Sequence, residues 1–248
     1  MDDTKNMESI ISQANQSEGV RELSHVLQAL INSKAGSSAN LHGVYTMLTQ
    51  ALGEAAVQFR QSGNDISPSY DFFQLNVPSM LIQLMTNFSQ VYSQENKVSS
   101  AAILLMSNVF NAVAQISKVG EEQRKSMVEM DILASITKTM FVVLDQVDKN
   151  KKSIDKIDKL IFWLCDCLFF LCVRGQDISY LLNAGGVELM DRLSTLVEKN
   201  NQNETHIMVL KRMLLVGAHN IEHKKRQNSA RSLHGYQMQL QISETPDF

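Results

Sequence analysis

Apolar residues recur along most of this chain at three- and four-residue intervals, the spacing that lines one face of an α-helix. The first such stretch runs from about Met7 to Lys34, with Ile10, Ile11, Val20, Leu23, Val26, Leu27, Leu30 and Ile31 in phase and Gly19 placed to split it. The second, about Leu41 to Arg60, puts Val44, Leu48, Leu52, Ala55, Ala56 and Phe59 on one stripe. Residues 34–40 are a turn by composition. Residues 61–70, which hold Gly63 and Pro68 among polar neighbours, read as the clearest loop. Pro78 suits the first turn of a helix carrying Met80, Leu81, Leu84, Met85, Phe88 and Val91. Further helices follow from about Val98 to Val119, with Gly120 at the C-terminal cap, and from about Glu121 to Val147, with a break near Asp131. No alternation of apolar and polar residues calls for a strand.

One stretch departs from the amphipathic rhythm. Residues 160–173 are apolar on nearly every side, with Asp166 as the one charge and Trp163 as the one Trp of the protein. A bilayer span needs about 20 residues, so this stretch is too short to cross a membrane, and no other run is read as a span. A helix apolar all round is expected to lie inside a protein, with amphipathic neighbours on both flanks. Beyond it, residues 181–193 form a shorter helix, 198–204 a polar loop, and His206 to Ile221 a last amphipathic helix. From about Glu222 the periodicity fades into a basic, polar tail that is expected to be flexible.

Composition sharpens this picture at three points. Scarce Pro and Gly (3 and 11 of 248 residues) beside 13 Met favour helix throughout. A net charge of −3 gives no reason to expect bulk nucleic-acid binding. The three cysteines, Cys165, Cys167 and Cys172, fall within one apolar helix, so they cannot cross-link distant segments and read as core thiols in a reducing compartment. The polar, acidic N-terminus is not a secretory signal, which points to an intracellular protein, cytoplasmic or nuclear. The sequons at Asn15, Asn87 and Asn203 are accordingly read as chance matches.

Three segments superpose as an internal repeat: Pro78–Leu84, Met130–Ile136 and Val187–Leu193. Each precedes a more apolar helix, around Ala102–Val109, Leu160–Cys167 and Leu210–Val216. The phrase Asn183-Ala-Gly-Gly-Val-Glu-Leu-Met-Asp-Arg-Leu193 resembles the turn and opening helix of armadillo repeats, and Ala102-x-x-x-Met106-x-Asn108-Val109 resembles their third-helix phrase. The start points lie roughly 50–60 residues apart, wider than the about 40–47 of armadillo and HEAT repeats, so the resemblance is to armadillo-like helical proteins. It covers residues 72–221 and implies a single all-α domain, a right-handed superhelical stack of helix pairs or triplets. Residues 1–66 would form an N-terminal capping unit, 67–222 the repeats and 223–248 the tail.

The resemblance also implies a function, a non-enzymatic scaffold or adaptor that binds a partner peptide or helix along a concave face. Asn108 sits where the family's groove asparagine hydrogen-bonds an extended partner. Asp166 takes the equivalent place in the next unit but departs from the family's asparagine; its alternative reading is a helix-end or surface residue, or one satisfied by a neighbouring side chain. Trp163 is read first as core and second as an anchor for a partner. Lys224, Lys225 and Arg226 form a candidate nuclear-import signal, and Ser229 a candidate phosphorylation site. Cys165-x-Cys167 points its ligands to different faces, and His219-x-x-x-His223 has no supporting carboxylates, so no metal or other cofactor is expected. No nucleophile elbow, phosphate-binding loop or dinucleotide fingerprint is present, so neither a small-molecule substrate nor catalysis is expected. The alternative is a structural subunit of an obligate complex, whose apolar helices complete their burial against another chain.

Overall fold

A computed structural model describes residues 19–32, 42–61, 72–95, 98–150, 157–172, 177–197 and 202–243. The start of the first expected helix at Met7, the turn at 34–40 and most of the loop at 61–70 lie outside them. The described residues are all-α: α1 (Gly19–Asn32), α2 (His42–Gln61), α3 (Val77–Gln94), α4 (Ser100–Ser117), α5 (Glu121–Glu129), α6 (Ile132–Asn150), α7 (Ile157–Leu171), α8 (Ile178–Asn183), α9 (Gly186–Leu196) and α10 (Gln202–Ser243).

Local chemistry sets several of these boundaries. The Ser99 hydroxyl accepts the Ala102 amide at 3.1 Å and caps α4. Asn76 takes a left-handed conformation just before α3, with Pro78 in that helix's first turn. Asp131, also left-handed, is the break expected between α5 and α6. Gly185 has φ +88°, and a Cβ on Gly186 would sit 2.7 Å from the Leu181 side chain, so the Gly-Gly pair lets α8 turn tightly into α9.

The helices pack in two successions. In one, α2 lies against α4, α4 against α7 and α7 against α10; in the other, α3 lies against α6 and α6 against α9, with α1 on α2 and α3. The three segments superposed in the sequence fall in α3, α6 and α9, and their apolar followers fall in α4, α7 and α10. The order along the chain therefore alternates between the two successions, with α5 and α8 as short connecting helices.

The helix enclosed on all sides is α4, not α7. From Ala102 to Ser117, α4 buries every residue except Leu104 and Asn111, between α2, α3, α5 and α7. It is also the one described helix long and apolar enough to span a bilayer, a length the sequence reading did not assign to it, but 78% of it is buried inside the protein. Small residues make the enclosure possible. Gly53 of α2 meets α4 at Ala112, where an added Cβ would already touch the Ala112 backbone at 3.5 Å. The buried hydroxyls of α4 are satisfied locally: Ser107 donates to the Ile103 carbonyl (2.9 Å) and Ser117 to the Ala114 carbonyl (2.8 Å).

α7 buries only part of its circumference. Leu160, Ile161, Leu164, Cys165, Cys167, Leu168 and Leu171 are inside, whereas Phe162, Trp163, Asp166 and Phe170 are half-buried and Phe169 is 40% exposed. The expectation of an apolar helix covered on both flanks is corrected accordingly. Trp163 packs its edge against Phe162, ring centroids 5.0 Å apart, at the margin of the core.

The backbone of α10 continues as helix to Ser243, well past the point near Glu222 where the apolar periodicity fades. Its buried face ends about Gly217, where a Cβ would fall 2.4 Å from Ile178 of α8. The residues beyond, rich in Gln, Lys, Arg, Ala and Leu, have good intrinsic helix propensity. Asn203 ties the start of α10 to α7 by donating to the Asp158 carbonyl at 3.0 Å, so the side chain of that sequon is buried in a helix contact.

Candidate interaction surface

The residues singled out in the sequence divide into structural ties and one surface. Asn108 is 5% exposed and donates from α4 to the Thr46 carbonyl of α2 at 3.3 Å. It joins two helices, and its donor is engaged inside the protein. Asp166 is held by Lys118, whose Nζ lies 2.7 Å from its carboxylate and 4.1 Å from the Phe170 ring. The charge of α7 is thus matched by a cation at the C-terminal end of α4, where it also complements the helix dipole. Sequence inspection missed Lys118 because it is 48 residues away; an unmatched charge in an apolar helix was the signal that such a partner must exist.

A second internal tie joins α5 to the start of α8. Arg124 and Asp177, both buried, form an ion pair, and Arg124 also donates to the Leu171 carbonyl at the end of α7. The guanidinium therefore satisfies the terminal carbonyl of one helix and the carboxylate at the head of another.

The three cysteines are free and buried. Burial, reinforced by the charge of Asp166, pushes the Cys165 thiol up to about 12, and burial with Asp177 does the same to Cys172. Cys167 is pushed well above its ordinary value by burial. These thiols stay protonated, so Cys165 is no nucleophile even though His206 and Asp166 stand near it. Among the described residues no group of three His, Cys, Asp or Glu side chains is placed to hold a metal ion.

Two concavities are relevant. A small one between α2, α3 and α4 is lined by His42, Tyr45, Phe88 and Tyr92 and encloses about 20 Å³, room for one water. The Nδ1 of His42 and the hydroxyl of Tyr45 have no partner there. The other is a cleft of about 310 Å³ between α7 and α10, lined by Cys165, Asp166, Phe169, Phe170, His206, Val209 and Leu210. Its walls are mainly apolar, and His206 Nδ1, a buried atom, has no hydrogen-bond partner.

The cleft opens onto the outer face of α10. That helix buries Asn203, Ile207, Leu210, Leu214 and Gly217 and turns Met208, Val209, Arg212, Leu215, Val216 and His219 to solvent. These are positions i, i+1, i+4, i+7, i+8 and i+11 of one helical stripe. Leu215 is 66% and Val216 59% exposed. Phe169 of α7 borders the same cleft as Val209, and Arg212 separates Met208 and Val209 from Leu215 and Val216 along the stripe, where the succession α2–α4–α7–α10 ends. Which face of α10 is left uncovered was not readable from its residues, since both faces carry apolar side chains.

Lys224 and Arg226 are exposed on the same helix, and Lys225 and Ser229 share its helical backbone, but their side chains lie outside the described residues. Arg226 pairs with Glu222 at 3.7 Å, one turn away.

Comparison with protein-family models, with curated proteins and with solved structures finds no match to this chain.

Proposed function

We propose that this protein is a non-enzymatic interaction scaffold, an armadillo-like right-handed stack of helix pairs and triplets that binds a helix or peptide of a partner protein. The observation that carries the reading is the apolar surface formed by Phe169, Met208, Val209, Leu215 and Val216 around the α7–α10 cleft. Single exposed apolar side chains are ordinary, but five beside one apolar cleft point to an interaction site. The alternation of two helix successions supports the stack, in which each pair buries its apolar face on the next. The partner site moves from the Asn108 and Asp166 positions to the end of the stack, because both of those side chains are engaged internally. Three free thiols fit a reducing compartment, the cytoplasm or the nucleus, and exposed Lys224 and Arg226 fit an import signal on a helix.

Affinity purification from the native source with wild-type protein and with the double variant Leu215→Glu/Val216→Glu tests this. The wild type retains a protein in near-stoichiometric amount, and the variant, folded by circular dichroism, loses it. Identical sets of retained proteins would overturn the reading.

The exposure of Leu215 and Val216 also favours a second reading, a subunit of an obligate complex in which another chain covers α10 permanently. Light scattering after size exclusion separates the two: a monodisperse monomer supports the free scaffold, and aggregation when expressed alone supports the subunit.

A further inference from the structure

We propose that the α7–α10 face receives an acidic amphipathic helix that sinks one large apolar side chain into the cleft. This deepens the scaffold reading and rests on it. Three observations define the occupant.

The first is shape. The exposed apolar stripe from Met208 to Val216 is about 12 Å long at 1.5 Å per residue, the length over which a crossing helix makes its main contacts. Each earlier helix of the same succession is flanked by a further helix, and α10 is the first to lack one among the described residues.

The second is the cleft. At about 310 Å³ it lies at the bottom of the range for small-molecule pockets and suits an anchoring side chain. Phe169, Phe170, Val209 and Leu210 present apolar walls to such a side chain. An apolar anchor seated in a matching pocket is the usual centre of a protein interface.

The third is charge. Arg212 lies within the apolar stripe, and beyond it the outer face carries His219, His223 and Lys224, all exposed. Asp166 is engaged with Lys118, Asp191 with Lys211 at 2.8 Å, and Glu222 with Arg226, which leaves Arg212 and Lys224 as the exposed cations of this face. Arg212 makes no ion pair among the described residues. A partner helix with acidic residues beside its apolar face would meet these cations, which steers approach and fixes orientation more than it adds affinity. A lipid surface of negative charge shares the electrostatics, but a cleft sized for one side chain favours the peptide.

Selection from a displayed library of helical peptides, with the full chain as bait, tests this. Wild-type bait enriches peptides that carry a large apolar residue at one position and a net negative charge. The bait Arg212→Glu/Lys224→Glu reverses the charge bias, and Val209→Asp weakens a selected peptide at least ~tenfold. No enriched sequence, enrichment without a charge bias, or equal affinity for the Val209→Asp bait would each overturn the proposal. So would binding to phosphatidylserine vesicles that displaces a selected peptide and is lost with Val209→Asp. If the purification described above retains a partner through Leu215 and Val216 while the selection fails, the acidic-helix assignment falls and the scaffold reading stands; if neither yields a ligand, both fall.

Discussion

Truncating two phenylalanines, one on α4 and one on α7, separates the enclosed helix from the helix that borders the surface. Phe110 is fully buried in α4, so Phe110→Ala removes its transfer energy and leaves a cavity that α2 and α7 cannot close. Such substitutions cost about 3–5 kcal/mol. Phe169 on α7 is 40% exposed, so little more than half of its surface is at stake, and the space it vacates opens to water. Its truncation should cost about 1 kcal/mol, the partial burial term without the cavity term. Urea unfolding followed by circular dichroism measures both, with comparison at constant slope so that midpoints report stability. The expected difference is at least about 2 kcal/mol, which for a chain of this size appears thermally as a gap of roughly 4–8 °C. Equal losses, or a larger loss for Phe169→Ala, would refute the assignment of α4 as the central helix.

Arg124→Met strands Asp177 in the interior and should cost about 3–5 kcal/mol, whereas the double change Arg124→Met/Asp177→Leu should recover most of that loss in a denaturation cycle. Burial holds the His42 imidazole below its ordinary value, with the Glu95 carboxylate pulling more weakly the other way. A lowered folded-state value means that the unfolded chain takes up the proton first. Stability is therefore full above the unfolded value of 6.5 and falls as pH drops through the window between that value and the lower folded one; His42→Gln should flatten this part of the profile, measured as unfolding midpoint against pH. With Cys165 and Cys172 pushed up to about 12, the native protein should react with a thiol reagent at pH 8 no faster than it opens, and all three thiols should react promptly in denaturant.

Much of the fold was legible because helix periodicity is a local property. The stripes on α2 and α3, the break at Asp131 and the Gly-Gly turn at Gly185 each follow from residues within a few positions of one another. The identity of the innermost helix was not legible in the same way. α7 has the more apolar sequence, yet α4 is the more enclosed, because enclosure depends on how closely neighbours approach and α4 offers Ala102, Ser107, Ala112, Ala114 and Ser117 where α7 offers Phe and Trp. Hydropathy measures the gain on leaving water and carries no information about that geometry. The candidate site followed the same pattern. Asn108 and Asp166 were conspicuous as polar residues in apolar helices, but their partners, the Thr46 carbonyl and Lys118, lie 62 and 48 residues away. The surface on α10 depends on which of two apolar faces the preceding helices cover, and only the packing of α7, α8 and α9 against it decides that.

A photo-crosslinking amino acid placed at Leu215, in cells of the native source, tests the partner site most directly. The same residue at exposed Lys138 of α6 serves as the control. The expected result is one discrete protein adduct from position 215 and none of that mass from position 138. Adducts at both positions alike, or at neither, would contradict a partner-binding face at the end of the helical stack.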